Sequence, residues 1–214
     1  MRKTKSRKQT TLLLVVALLS VALGIWVSQN LPVEQQLPKD LDTTFLPQGK
    51  ALPEFKLIDQ DEHEFDLSKL RGKWSFMFFG YTNCPDICPI TLKVMEQAWQ
   101  RIPPELHKDS QMIFVSVDRE RDTPEKLKSY VQYFDKDFIG ITGEAAQLDL
   151  LTRQLGILYG FEDPAPGSDE YLVNHSAQIV LIDPGTKLRA VFSPPHEGIK
   201  IADTFQKIRE FVSN

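Results

Sequence analysis

Two cysteines are the only ones among 214 residues, and three residues separate them in Tyr81-Thr82-Asn83-Cys84-Pro85-Asp86-Ile87-Cys88-Pro89. A bridge across so short a loop removes little unfolded-state entropy, which makes a purely structural disulfide the weaker reading. The pair follows a nearly continuous apolar run, Trp74-Ser75-Phe76-Met77-Phe78-Phe79, and opens a predicted helix. A helix N-terminus offers unpaired N–H groups and the positive end of a dipole, which favour thiolate over thiol. Thiolates attack disulfides and hold soft metals. Two of them under-coordinate most metals, so a third ligand is sought among His63, His107, His175 and His196. His63 lies beside an acidic turn, His107 follows Pro103-Pro104 on a surface connection, and His196 sits at a loop end. His175, in Tyr171-Leu172-Val173-Asn174-His175-Ser176, stands just before a predicted buried strand, where site loops of an α/β sheet can gather.

The surrounding pattern supplies the scaffold. Phe55-Lys56-Leu57-Ile58 and Glu64-Phe65-Asp66-Leu67 flank Asp59-Gln60-Asp61-Glu62 as a hairpin. The run over 74–79 predicts a central strand covered on both faces, followed by a helix over 89–100 and a second buried strand over 112–117. Thr123-Pro124-Glu125 opens a helix with an N-cap, a first-position proline and an early acid. A short strand over 138–141, a helix over 144–155 and a loop over 162–170 come next. A hairpin over 177–192 turns at Asp183-Pro184-Gly185-Thr186, and an amphipathic helix over 199–212 closes the chain. Strand–helix alternation ending in a hairpin and helix is the thioredoxin order. The expected fold is a thioredoxin-like α/β three-layer sandwich with a mixed central sheet.

Three segments, Phe78 through Pro89, Ser116-Val117-Asp118-Arg119-Glu120-Arg121-Asp122-Thr123-Pro124 and Val173-Asn174-His175, resemble the Sco/SenC family of copper chaperones. The resemblance runs from about Leu52 to Val212. It implies one copper ion, Cu(I) or Cu(II), held by Cys84, Cys88 and His175, and delivery of copper to cytochrome c oxidase or reduction of its copper-site thiols. Arg119 stands where many relatives have proline, and Asn174 where many have aspartate; the second departure bears on how the imidazole is oriented. Asp118 is either a strand-end turn residue or a participant in the site. Asp86 reads as a solvated helix-start acid rather than a ligand.

Two rivals remain. A thiol–disulfide oxidoreductase would use Cys84 and Cys88 as its catalytic pair, although such enzymes ordinarily have a spacing one residue shorter. A thiol peroxidase would need an arginine beside its cysteine.

The remaining sequence concerns location. Five basic and no acidic residues lie in the first ten, leaving 20 basic and 29 acidic residues in the rest. So acidic a body excludes nucleic acid as a partner, since phosphate binding needs a basic face. Residues 11–28 form an apolar segment of about 27 Å as a helix, near the thickness of a bilayer core. A cleaved signal peptide ending at Ser20-Val21-Ala22 is the competing reading, and both export the body. The expected organisation is a basic cytoplasmic segment 1–10, a membrane anchor 11–28, a tether 29–51 and a folded domain 52–214. That places the domain in the periplasm or on the outer face of a bacterial inner membrane.

Overall fold

The computed structural model describes residues 7–30, 41, 43–164 and 170–213, with side chains of the first helix described from 11 to 26. The chain divides into two compact units, residues 1–36 and 37–214.

In the first unit, α1 (Arg7–Asn30) carries apolar residues around its whole circumference, and Leu12, Leu14, Leu18 and Leu19 are each more than half exposed. Among the described residues no helix is long and apolar enough to cross a membrane. The described side chains of α1 cover about 24 Å of helix, less than the roughly 27 Å of the apolar segment in the sequence.

The second unit is built on an eight-stranded sheet. Its strands are β1 (Thr44–Ala51), β2 (Leu57–Asp59), β3 (Glu64–Phe65), β4 (Trp74–Gly80), β5 (Ser110–Ser116), β6 (Ile139–Thr142), β9 (Ile179–Ile182) and β10 (Lys187–Phe192), in the order β1-β10-β9-β4-β5-β6-β2-β3. Two further strands, β7 (Tyr159–Phe161) and β8 (Val173–His175), pair only with each other. The main sheet is mixed, with β4, β5 and β6 parallel and β9 antiparallel to β4. Every residue of β4 and β5 is buried, so both faces of the sheet centre are covered, as the three-layer expectation requires.

The helices of this unit are α2 (Leu67–Leu70), α3 (Ile87–Arg101), α4 (Pro104–His107), α5 (Pro124–Gln132), α6 (Ala145–Leu155) and α7 (Gly198–Ser213). Thr123 caps α5 as expected, its hydroxyl accepting from the Lys126 N–H. Helix α6 ends on Gly156 at φ 73°, the left-handed conformation that glycine adopts without steric penalty. From α7, Phe205 packs edge-on against Trp74 and Phe76 of β4.

One expectation needs correction. The tether over 29–51 lies partly outside the described residues, but its last stretch is β1, an edge strand in antiparallel register with β10. Phe45 of that strand packs edge-on against Phe211 of α7, with ring centroids 5.3 Å apart. The polar, proline-punctuated composition concealed a strand whose pairing partner lies some 140 residues away. The loop expected over 162–170, of which 165–169 lie outside the described residues, has no strand or helix at 162–164 or 170, and the short strands β7 and β8 on either side of it are additions to the expected elements.

Candidate metal centre

The parallel sheet centre determines where chemistry can be placed. β4 ends at Gly80, and residues 81–86 turn the chain into α3, which sets Cys84 in the turn and Cys88 at the second helical position. β9 runs antiparallel to β4 with Phe78 opposite Ile179, so the chain before Ile179 lies beside the chain after Phe78. That register carries β8, ending at His175, back over the cysteine turn. Residues 87 and 91 positions apart in sequence thus meet: the His175 Nε2 is 3.2 Å from the Cys88 Sγ and 4.0 Å from the Cys84 Sγ. The three candidate ligand atoms all lie within 4.8 Å of one another, the only such cluster of metal-ligating groups among the described residues.

Burial differs across the trio. Cys88 is fully buried, Cys84 is 9% exposed, and His175 is half-buried at the wall of an open cleft of about 480 Å³. Space for the Cys88 sulfur comes from Gly80. A Cβ on that residue would stand 2.5 Å from the Cys88 Sγ and 3.1 Å from the Phe114 ring, closer than packed atoms tolerate. Sequence reading passed over this glycine, although a glycine closing an otherwise bulky strand is the signal of a close approach.

The helix start bears on the Cys84 sulfur. Asp86 occupies the N-cap position of α3 but makes no side-chain cap. The Cys84 Sγ accepts from the Cys88 N–H at 3.5 Å instead, taking over part of the capping role. The Cys84 thiol is pulled down to about 4, first by the hydrogen bond from the Cys88 thiol and then by those from the His175 ring and the Asp86 and Cys88 backbone, against the opposing effect of burial. Cys88 is pushed far up, because its proton is held in the hydrogen bond to Cys84 and because it is buried. The reduced pair therefore holds one proton at neutral pH, with the charge on the more exposed sulfur.

The imidazole is oriented by the backbone. His175 Nδ1 faces the Ser176 carbonyl at 3.3 Å and Nε2 faces the sulfurs; in the metal-free site an Nε2–H donates to the Cys84 thiolate, and a metal bound at Nε2 would move the ring proton to Nδ1, where the carbonyl accepts it. Phe78 and Tyr81 meet the ring edge-on, with centroids 5.9 and 6.0 Å away. Asn174 alternates to the other side of β8 and donates to Glu162 at 2.8 Å, so the departure at this position does not touch the ring's orientation.

The other sequence candidates fall elsewhere. His63 pairs with Asp59, His107 stacks on Trp99 with its Nε2 against the Trp99 and Ile102 carbonyls, and the His196 Nε2 lies 2.6 Å from the Ala177 carbonyl. Asp86 is exposed and outside the cluster, and Arg119 pairs with Glu144 and Glu120 at the surface. Asp118 is completely buried and ion-paired with Arg121 at 2.6 Å, beyond the part of a turn residue. A second residue was missed. Buried Asp122 accepts from the Thr82 N–H at 2.8 Å, from the Ser116 hydroxyl at 2.6 Å and from the Thr82 hydroxyl, fixing the cysteine turn to the end of β5. Its position four residues after Asp118, just before a helix cap, gave no sign of this long-range contact.

The SCO1/SenC family model matches residues 46–212, which is most of the chain. The chain belongs to the SCO1/SenC family. A SCO2-like protein of Rickettsia typhi is 34% identical over 179 residues, covering 82% of this chain and 86% of that protein. The mitochondrial SCO2 homolog of Bos taurus is 31% identical over 203 residues, covering 92% of this chain and 74% of that protein. Among solved structures, Arabidopsis thaliana ScoI with copper bound is similar with a TM-score of 0.68 and 31% identity, over 74% of this chain and 98% of that one. The thioredoxin-like α/β fold with a mixed central sheet is common to this family member and those structures.

The shared proton gives a measurable signature. Titrating the reduced domain by ultraviolet thiolate absorbance is expected to show one thiolate per chain across the neutral range, formed with a midpoint of about 4. His175→Ala is expected to move that midpoint upward, since the ring's hydrogen bond favours the thiolate. Two thiolates at neutral pH, or none, would contradict the assignment.

Proposed function

We propose that this chain is a copper chaperone which takes one copper ion as its cargo through Cys84, Cys88 and His175 and passes it to an exported copper protein. The observation that carries the reading is the convergence of two sulfurs and one imidazole nitrogen on a common point at the surface end of the sheet. This donor set fits copper: soft thiolates select Cu(I), and imidazole also accepts Cu(II). A pair already holding one thiolate needs to release only one proton from sulfur on loading. Three ligands leave a coordination position open, so an incoming thiolate or imidazole can attack and remove the ion stepwise. Cys88 is sealed, so the acceptor approaches from the side of Cys84 and His175. The recipient implied by family membership is the copper site of cytochrome c oxidase.

The anchored topology belongs to the same proposal. The five basic residues before the apolar stretch of α1, whose leucines are exposed on every side, support retention in a bacterial inner membrane with the domain outside the cytoplasm. Alkaline extraction is expected to leave the full chain in the membrane fraction with its native N-terminus. A mature protein beginning near Leu23 would defeat the anchor and leave export standing.

A second reading is favoured by the shared proton. A Cys84 thiolate beside a protonated Cys88 is also the resting state of a disulfide reductase. Cys84 would attack a target disulfide, and Cys88 would then displace the target's sulfur. Two electrons and the Cys88 proton pass to the target, the second target sulfur leaves as a thiolate that takes its proton from solvent, and Cys84–Cys88 becomes the disulfide. The peroxidase reading loses support, because among the described residues no arginine hydrogen-bonds either sulfur.

His175→Ala separates the first two. Copper binding to the reduced variant is expected to weaken by about 100-fold or more, with the fold intact, because a ligand is lost. Thiol reduction is expected to survive in that variant and to disappear on substitution of either cysteine. Unchanged copper affinity in His175→Ala would overturn the three-ligand reading.

A further inference from the structure

We infer that Arg121 is a positioning residue which clamps the histidine-bearing hairpin onto the cysteine turn, with Asp118 and Tyr171 as the other parts of the clamp. The inference rests on the ligand set proposed above, and extends it to residues that touch no metal.

Arg121 lies in the loop between β5 and α5, on neither segment that carries a candidate ligand. Its side chain is largely buried and reaches both. Toward the hairpin, Nη1 donates to the Tyr171 carbonyl at 2.9 Å, four residues before His175, and the guanidinium lies 3.5 Å from the centroid of the Tyr171 ring. Toward the cysteine turn, it stands 5.6 Å from the centroid of the Tyr81 ring. Tyr81 accepts the Cys84 N–H on its carbonyl at 3.2 Å, and its ring meets the His175 ring edge-on. From below, the buried Asp118 carboxylate accepts from Arg121 Nε at 2.6 Å on one oxygen and from the Tyr171 hydroxyl at 2.8 Å on the other. One carboxylate thus orients both the cation and the ring on which the cation stacks.

The hairpin needs such a hold. β7 and β8 pair only with each other, so the main-sheet ladder does not fix the height of His175 above the sulfurs. Tyr159, opposite His175 in the register, is tied to Asp149 of α6 at 2.6 Å, which secures the far strand. The strand bearing the histidine is secured at Tyr171. A guanidinium suits the position, since it bonds in two directions in its plane while presenting a flat face to two rings; an ammonium does neither.

The test is a double-mutant cycle with hydrogen exchange on the metal-free, reduced domain. Arg121→Ala is expected to speed exchange of the 173–175 amides by about tenfold and to weaken copper binding by about tenfold, while leaving exchange at the core of α7 unchanged. In a His175→Ala background the same substitution is expected to cost no further copper affinity. Arg121→Lys is expected not to restore either property. Because Arg121→Ala leaves the Asp118 charge buried and unpaired, Tyr171→Phe serves as the second variant. It keeps the ion pair and the stacked ring, and is expected to produce a smaller change of the same kind. Unchanged exchange in both variants would overturn the clamp, as would a loss of copper affinity equally large with and without His175. If His175→Ala alone left copper binding unchanged, the ligand set would fail, and the clamp would be judged on hydrogen exchange alone.

Discussion

One antiparallel ladder carries the site. β9 lies against β4 with Phe78 opposite Ile179, and both strands are fully buried. A register shift of a single residue would exchange every side chain of β9 between two differently packed faces, so the fit of those side chains to each face holds the pairing. Its consequence appears beyond its ends. The chain leaving β4 and the chain entering β9 are forced side by side, and these two segments hold Cys84, Cys88 and His175. The hydrophobic core, of which Cys84 and Cys88 are themselves part, thereby sets the spacing of the proposed ligands.

The three proposed ligands are not held equally. Cys88 is fixed by α3 and by the space Gly80 leaves, and Cys84 by the turn that Asp122 ties to β5. Those contacts belong to the main sheet and its crossover helix. The histidine stands on a separate two-stranded piece, oriented by the Ser176 carbonyl and bound through side chains to the rest. On the proposed reading, a carrier that must both hold and release a metal ion benefits from this inequality. Two ligands are built into the frame, and the third is on an element of fewer backbone bonds.

Much of this was legible in the sequence because it depends on local pattern. The apolar runs gave β4 and β5, Thr123-Pro124-Glu125 gave the start of α5, and the cysteine spacing with the downstream histidine gave the candidate ligands. β1 was not legible: an edge strand with a proline has no periodicity to distinguish it from a tether, and only its partner β10 makes it a strand. β7 and β8 were hidden for the same reason, being three residues each. The partners of Asp118, Arg121 and Asp122 are set by tertiary contacts across as many as 53 residues, as between Asp118 and Tyr171, for which no local spacing rule exists. Asn174 shows the converse error. Adjacency in sequence suggested influence on the imidazole, and strand alternation points the two side chains apart.

The central claim is that two sulfurs and one nitrogen of this chain meet on one copper ion. X-ray absorption at the copper edge, on the anaerobically reduced domain loaded with one equivalent of Cu(I), addresses it most directly. The account predicts a first shell of two sulfur scatterers and one imidazole nitrogen, with the nitrogen contribution absent in His175→Ala. A first shell of sulfur alone in the unsubstituted domain, or a nitrogen contribution that survives His175→Ala, would contradict it.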